Sequence, residues 1–330
     1  QYNQTYYKFG VFRDVMYRIP ISSLTALGMP TSVTGDNLQV WRDGQEVPIF
    51  VSTSGVLGGS DYIEFYGEKA NGTVDIPLFK NPASQVNPGQ NLLSDTAYYF
   101  ITFNTASNHK RFTPRMNDFT SLPVKESYFW DKSRTNFKGS FAAGPSYYYP
   151  TTPLIYLNSS QYEDGEGYSK TNTFKDDSIG YTCLFPYKVA GGPSAYFKTT
   201  VVGFSYLSPH RIKLFANNNE IGDSIFSSFG YKRFNAAAPM SWLSPSNRMM
   251  FKYTPMNNDI ANNLYDRYGI SYTEFRYPRE FNFNNVDSFY FELDPKLTDY
   301  YLEISNFNHG GTAPRLYDLT SNEFITGDLS

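Results

Sequence analysis

Apolar and polar residues alternate along most of this chain in short runs, and turn-forming residues separate one run from the next. Alternation with a period of two places side chains on opposite faces of a half-buried strand. Tyr6-Tyr7-Lys8-Phe9-Gly10-Val11 and Val15-Met16-Tyr17-Arg18-Ile19 predict two strands about a turn at Arg13-Asp14. The stretch from Ser22 to Gly28 carries Leu24 and Leu27 and ends in glycine, which predicts a single helical turn with a glycine stop. Leu38-Gln39-Val40-Trp41-Arg42 and Val47-Pro48-Ile49-Phe50-Val51 flank Asp43-Gly44, a strong hairpin signal because both turn positions favour positive φ. Tyr62 to Gly67 and Tyr98 to Phe103 complete a first series, whose spacing predicts a small sandwich or barrel.

Between Ala106 and Phe119 the alternation stops, and Asn108, His109, Lys110, Arg111 and Pro114 gather there. That places a domain boundary near 110–118, with a small all-β domain over 1–112 and a larger one over 118–330. The second series runs through Tyr128-Phe129-Trp130, Thr182 to Phe185, Ala195 to Phe204, Arg211 to Ala216, Arg248 to Tyr253, Ser271 to Tyr277, Ser288 to Glu292 and Tyr300 to Ile304. Asn217-Asn218-Asn219 reads as a turn, since Asn tolerates positive φ. Many strands joined by long excursions predict a jelly-roll-like β-sandwich. No long amphipathic helix alternates with the strands, so a parallel α/β fold is excluded. The fold class is all-β throughout.

Composition sharpens this. The 330 residues include 29 Tyr and 28 Phe, against three His and one Cys, so aromatic packing is abundant while covalent and metal chemistry is scarce. Only 18% of residues are charged and the formal net charge is -3, with the basic residues dispersed. Such a surface offers no clustered basic face for nucleic acid, and no apolar run is long enough for a membrane-spanning helix. A chain opening at Gln1 without Met fits a mature secreted protein, with a secreted or cell-surface location. Cys183 lies in the apolar run Tyr181-Thr182-Cys183-Leu184-Phe185 and reads as an inert core thiol.

Two constellations stand out as candidate sites. Glu163-Asp164-Gly165-Glu166 places three carboxylates about a glycine, hard oxygen ligands that could hold Ca²⁺, although EF-hand spacing is absent and the acids could equally cap backbone amides. Asp176-Asp177 lies near enough in sequence to complete such a set. Trp130, Tyr147, Tyr148, Tyr149 and Trp242 form an aromatic set that could stack on sugar faces or fill a core. Asn3, Asn71 and Asn158 open three N-glycan acceptor triplets.

Four stretches resemble the N-terminal, non-catalytic region of gingipain-type cysteine peptidases and relatives exported by type IX secretion. They are Tyr7 to Val11 through Tyr17-Arg18-Ile19; Gly35-Asp36-Asn37-Leu38-Gln39-Val40-Trp41-Arg42-Asp43-Gly44-Gln45-Glu46-Val47-Pro48; Asp61 to Gly67; and a set from Tyr162-Glu163-Asp164-Gly165-Glu166-Gly167-Tyr168 to Tyr277-Pro278-Arg279 and Pro314 to Thr320. The resemblance implies an extracellular leader or docking region preceding a cysteine peptidase domain, which would follow Ser330. Its partners would be that domain or a cell-surface protein, or a glycan if the jelly roll binds carbohydrate. An inhibitory prodomain is the further alternative, with Lys132 to Lys138 as a basic loop for the cleft. Asp95-Thr96-Ala97, Asp177-Ser178-Ile179 and Asp223-Ser224-Ile225 are similar to the O-glycan acceptor of such bacteria, with Thr96, Ser178 and Ser224 as acceptors. The family's catalytic residues have no counterparts: Cys183 and His109, His210 or His309 lack the surroundings of a nucleophile and base, and His309-Gly310-Gly311 has no matching Cys after it. The chain given is therefore expected to be no enzyme.

Overall fold

A computed structural model describes residues 3–105, 109–148, 160–206 and 209–329. The described residues form two compact units, both all-β. None of their helices is long and apolar enough to cross a membrane.

The first unit comprises residues 1–70, 93–122 and 309–330. One sheet orders Tyr7–Val11, Ala97–Phe103, Leu38–Arg42 and Gln45–Val47; a second orders Val15–Pro20, Tyr62–Gly67 and Phe50–Val51. The Asp43-Gly44 turn forms as the sequence predicts, with φ of 49° and 76°, and Trp41 pairs with Glu46 across it. Pro48 breaks the expected run from Val47 to Val51 into two short strands, because proline cannot donate to a ladder. Helix Ile21–Ala26 places Ile21 and Leu24 in a core with Leu38, Val40, Ile63 and Phe65, and Gly28 follows at φ 92°. Phe65 meets Tyr99 at 5.4 Å and Phe9 at 5.7 Å, ring centre to ring centre, across the two sheets.

The last residues belong to this unit through a small third sheet, in which Glu323–Thr326 runs parallel to Thr113–Arg115 and antiparallel to Arg315–Asp318. Glu64 fixes it: this nearly buried carboxylate accepts from Arg18 Nε at 2.8 Å, from Arg315 at 2.8 Å and from the Tyr317 hydroxyl. A carboxylate with this many charge-assisted donors is held in place.

The second unit comprises residues 71–92 and 123–308. Eight strands make its sandwich: β1 Phe129–Asn136, β2 Asp177–Thr182, β3 Ala195–Gly203, β4 His210–Ala216, β5 Asn219–Phe226, β6 Tyr231–Ala238, β7 Arg248–Pro255 and β8 Tyr268–Arg279. One sheet is ordered β1-β8-β3-β6 and the other β2-β7-β4-β5, all antiparallel, which is the strand order of a jelly roll. Phe197 on β3 stacks on Phe251 on β7 at 3.6 Å and 6°, joining the sheets. Tyrosine hydroxyls bridge them as well: Tyr253 donates to Thr199 at 2.9 Å, and Tyr181 lies 2.6 Å from the Thr273 hydroxyl. Burial therefore pushes the Tyr253 hydroxyl well above the usual phenol range.

The division differs from contiguous domains over 1–112 and 118–330 at two places. Residues 309–330 join the first unit through the Glu64 cluster. Residues 71–92, expected with the first series, are hydrogen-bonded to the jelly roll: Arg134 donates to Asn87 at 2.7 Å, Asn136 to the Gly89 carbonyl at 3.2 Å, and Arg233 to the Ala83 and Gln85 carbonyls at 2.7 and 2.8 Å. Three further expectations change. Lys132 to Asn136 is sandwich strand, with Lys132 paired to Glu292 and Arg134 to Glu274, so no exposed basic loop forms there. The strand expected at Thr182 to Phe185 ends at Thr182, and Phe185 turns away at φ 44°. Ser288 to Glu292 and Tyr300 to Ile304 contribute single bridges, Trp130 to Glu292 and Lys125 to Tyr301.

A candidate binding cleft at one end of the jelly roll

Two turns in the second unit approach one another closely. One is the acidic turn Glu163 to Glu166, which leads into strand Gly167–Ser169. The other is Ser227 to Gly230, which carries the chain from β5 in one sheet to β6 in the other. Gly165 sits between them at φ 75°, where a Cβ would lie 2.2 Å from the Phe229 carbonyl oxygen. Only glycine fits both the backbone conformation and this approach.

The acidic turn is organised by its own side chains. Glu166 accepts the Glu163 N–H at 2.8 Å, and the Glu166 N–H donates to the Glu163 carbonyl at 3.2 Å. Glu163 accepts the Ser146 N–H at 2.9 Å, and Asp164 accepts the Ser84 hydroxyl. Each acid thus caps an amide or hydroxyl, and no group of three His, Cys, Asp or Glu side chains among the described residues is arranged to hold a metal ion. The carboxylates do not converge as a Ca²⁺ site requires. Glu166 borders a small cavity with Phe79, Val86 and Leu92; burial there pushes its carboxyl up to about 7, against the opposing pull of the Glu163 N–H that it accepts.

The second turn is pinned from below. His210 and Asp266 are fully buried and bonded to each other through Nδ1, while His210 Nε2 faces the Ser228 carbonyl oxygen at 2.5 Å. The ring stacks on Phe226 at 4.9 Å, and Asp266 also accepts the Arg211 N–H at 3.2 Å. Sequence reasoning weighed His210 only as a partner for Cys183; no local signal ties it to Asp266, 56 residues away.

Between the turns lies a cleft of about 400 Å³, lined by Pro145, Asp164 and the run Ser227–Tyr231. Its polar groups are a carboxylate and hydroxyls, and its apolar walls are proline and aromatic rings. Among the described lining residues there is no cationic side chain.

The predicted stacking residues do not gather around it. Trp130 is only 4% exposed, and its indole donates to Asp294 at 2.8 Å; Trp242 packs against the jelly-roll core. Tyr147 is exposed on the short helix Pro145–Tyr148, whose first residue walls the cleft. The Tyr148 side chain, Tyr149 and the acceptor triplet at Asn158 lie outside the described residues. Ser178 is exposed on edge strand β2, whereas Thr96 and Ser224 are half-buried. Cys183 is 1% exposed within the core, and burial, with Asp131 nearby, pushes its thiol up to about 12. A thiol held protonated is neither nucleophile nor metal ligand at neutral pH.

No protein-family model and no curated protein matches the chain. Among solved structures, that of dimeric latent PorU from Porphyromonas gingivalis is similar over 84% of this chain at 12% identity, with a TM-score of 0.51. The chain spans 24% of that PorU chain. The CBM36-1 domain of a multidomain xylanase from the hindgut metagenome of Trinervitermes trinervoides matches over 44% of this chain and 96% of its own, at 9% identity and a TM-score of 0.24. The likeness to PorU is one of fold.

Proposed function

We propose that this chain is a non-catalytic extracellular leader or docking region of a gingipain-like cell-surface protein, contacting a downstream peptidase domain or a cell-surface protein partner. The observation that carries this reading is the fate of Cys183, whose thiol is enclosed by the jelly-roll core and held protonated. Peptide hydrolysis of the gingipain type needs a thiolate beside an imidazole, and His210 in the same unit is engaged by Asp266 and the Ser228 carbonyl instead. The PorU-like fold over most of the chain supports the same placement, with the remainder of such a protein supplying any catalysis. The location that goes with it is the extracellular side of the outer membrane.

The test is to assay the folded chain against a peptide library and for capture of the segment encoded after Ser330. The reading expects β-rich circular dichroism, no cleavage and saturable capture. Cleavage abolished by Cys183→Ala would end it.

An inhibitory role for the leader is a second reading, favoured because the matched PorU structure is described as latent. Undiminished peptidase rates with the chain added in trans would exclude it. A carbohydrate-binding or adhesive role is a third, resting on Tyr147 exposed on the helix whose first residue borders the cleft. A blank glycan array would argue against it.

A further inference from the structure

We propose that the outer face of the sheet β1-β8-β3-β6, centred on Arg276, receives a glutamate or aspartate side chain presented by a protein partner. This names the chemistry of the docking reading above and rests on it.

Strand alternation builds the face. Phe197 and Phe275 point into the sandwich core, so Tyr196, Lys198, Glu274 and Arg276 point outwards. The register sets Arg276 between Tyr196 and Lys132, and Glu274 between Lys198 and Arg134. Tyr196 and Lys198 are exposed, and Arg276 is half-buried.

Three observations converge. First, Arg276 is held by rings rather than by acids. Its Cζ lies 4.5 Å from the Trp130 ring centre and 4.9 Å from that of Tyr196, and these two rings meet edge to face at 5.7 Å. Among the described residues Arg276 makes no hydrogen bond and no ion pair. Packing on the rings positions the guanidinium and leaves its N–H fork free, which suits a bidentate carboxylate. Water reaches those donors, so the free fork costs nothing; what the rings supply is preorganisation. Second, the neighbouring donors are free as well. The Tyr196 hydroxyl has no partner among the described residues. The Lys198 side chain is 50% exposed and its Nζ stands 3.9 Å from Glu274, which Arg134 already engages at 2.9 Å. Third, the face carries the opposite sign to the chain. Lys132, Arg134, Lys198, Arg233 and Arg276 outnumber Glu274, Glu292 and, at the rim, Asp294, in a chain of formal net charge -3. On the outer face of the other sheet, Arg211, Lys213 and Lys252 pair with Asp223, Glu220 and Asp176. An acidic segment is therefore drawn to the first face rather than the second.

Other occupants fit less well. A sugar finds little open ring to stack on, because Trp130 is 4% exposed and one side of Tyr196 is taken by Arg276. A nucleic acid would need a longer basic track than one interrupted by Glu274 and Glu292. A metal cation would meet excess positive charge.

The test is an NMR titration of the folded chain, at low ionic strength, with acetylated and amidated tetraglutamate and with its tetraglutamine counterpart. The expected result is saturable shifts at Tyr196, Lys198 and Arg276 with the acidic peptide, and binding of the neutral peptide at least about tenfold weaker. Arg276→Gln removes the fork and should weaken the acidic peptide about tenfold. Lys198→Gln, at an exposed position, should weaken it several-fold, and Lys252→Gln on the other sheet should leave it unchanged. Equal binding of the neutral peptide, no binding at all, or indifference to both Lys198→Gln and an Arg276→Gln chain that melts like the parent would each overturn the proposal. So would an equal loss in Lys252→Gln, or tighter binding of a sulfated oligosaccharide or an oligonucleotide on this face. Capture of the segment encoded after Ser330 separates this inference from the docking reading. If Arg276→Gln captures that segment as well as the parent chain does, this inference falls and docking stands. If the parent chain captures nothing, docking to that segment falls, while the peptides still decide the face.

Discussion

Glu166 holds a carboxyl near 7 where an unfolded chain has about 4.5, because burial disfavours its charge by more than the Glu163 N–H bond favours it. Between those two values the folded state binds more protons than the unfolded one. The stability linked to this group is complete below pH 4.5 and is lost as pH rises through 7. Glu166→Gln keeps an acceptor for the Glu163 N–H and does not titrate. Thermal melts at pH 5, 6, 7 and 8 should therefore show the variant gaining on the parent as pH rises, and parallel profiles would contradict the assignment. His210 supports the opposite wall. Its replacement by Ala leaves Asp266 buried without its partner and should cost about 3–5 kcal/mol in urea unfolding; a loss under 1 kcal/mol would show that the pair pins nothing. The acidic turn was legible in the sequence as three acids about a glycine, including the alternative that they cap amides. The His210–Asp266 pair was not, since the two residues are brought together only by the jelly-roll topology.

At the scale of elements, local chemistry read well wherever a turn had a single solution. Asp43-Gly44 and Asn217-Asn218 both adopt positive φ between antiparallel strands, as their residue types require. Gly44→Ala should destabilise the first unit by about 1–2 kcal/mol, since Ala resists φ of 76°. The aromatic strands Tyr62–Gly67, Ala97–Phe103 and Ala195–Gly203 were also found, whereas the aromatic stretches Ser288 to Glu292 and Tyr300 to Ile304 make only single bridges. The strands that escaped include β5 and β6, whose Gly222, Asp223, Asn235 and run of alanines dilute the pattern, most of β2, and short pieces such as Ser140–Ala142, Gly167–Ser169 and those within residues 305–326, which owe their pairing to tertiary contacts. The aromatic stripes fill the interior of the sandwich: Trp130 is buried, whereas Trp242 is half-buried against that core. Phe197→Ala removes the ring that joins β3 to β7 and should cost about 3–5 kcal/mol, measured by chemical unfolding.

For the whole molecule, an all-β chain with a jelly roll was legible, while the weaving of the two units was not. Residues 71–92 look like a polar loop because Asp75, Ser84, Gln85, Asn87, Gln90 and Asn91 carry no hydrophobic pattern, yet all six are buried. Asn91 and the Leu92 N–H both bond Asp75, and Arg134 and Arg233 hold the segment by hydrogen bonds that no periodicity announces. The account's central claim is that these interiors enclose the lone thiol and leave the chain to work by contact. Alkylation of Cys183 by iodoacetamide, followed by intact-mass spectrometry with and without denaturant, tests this directly. Negligible labelling of the native chain and complete labelling once unfolded is the predicted result. Rapid stoichiometric labelling of the native chain at neutral pH would contradict it.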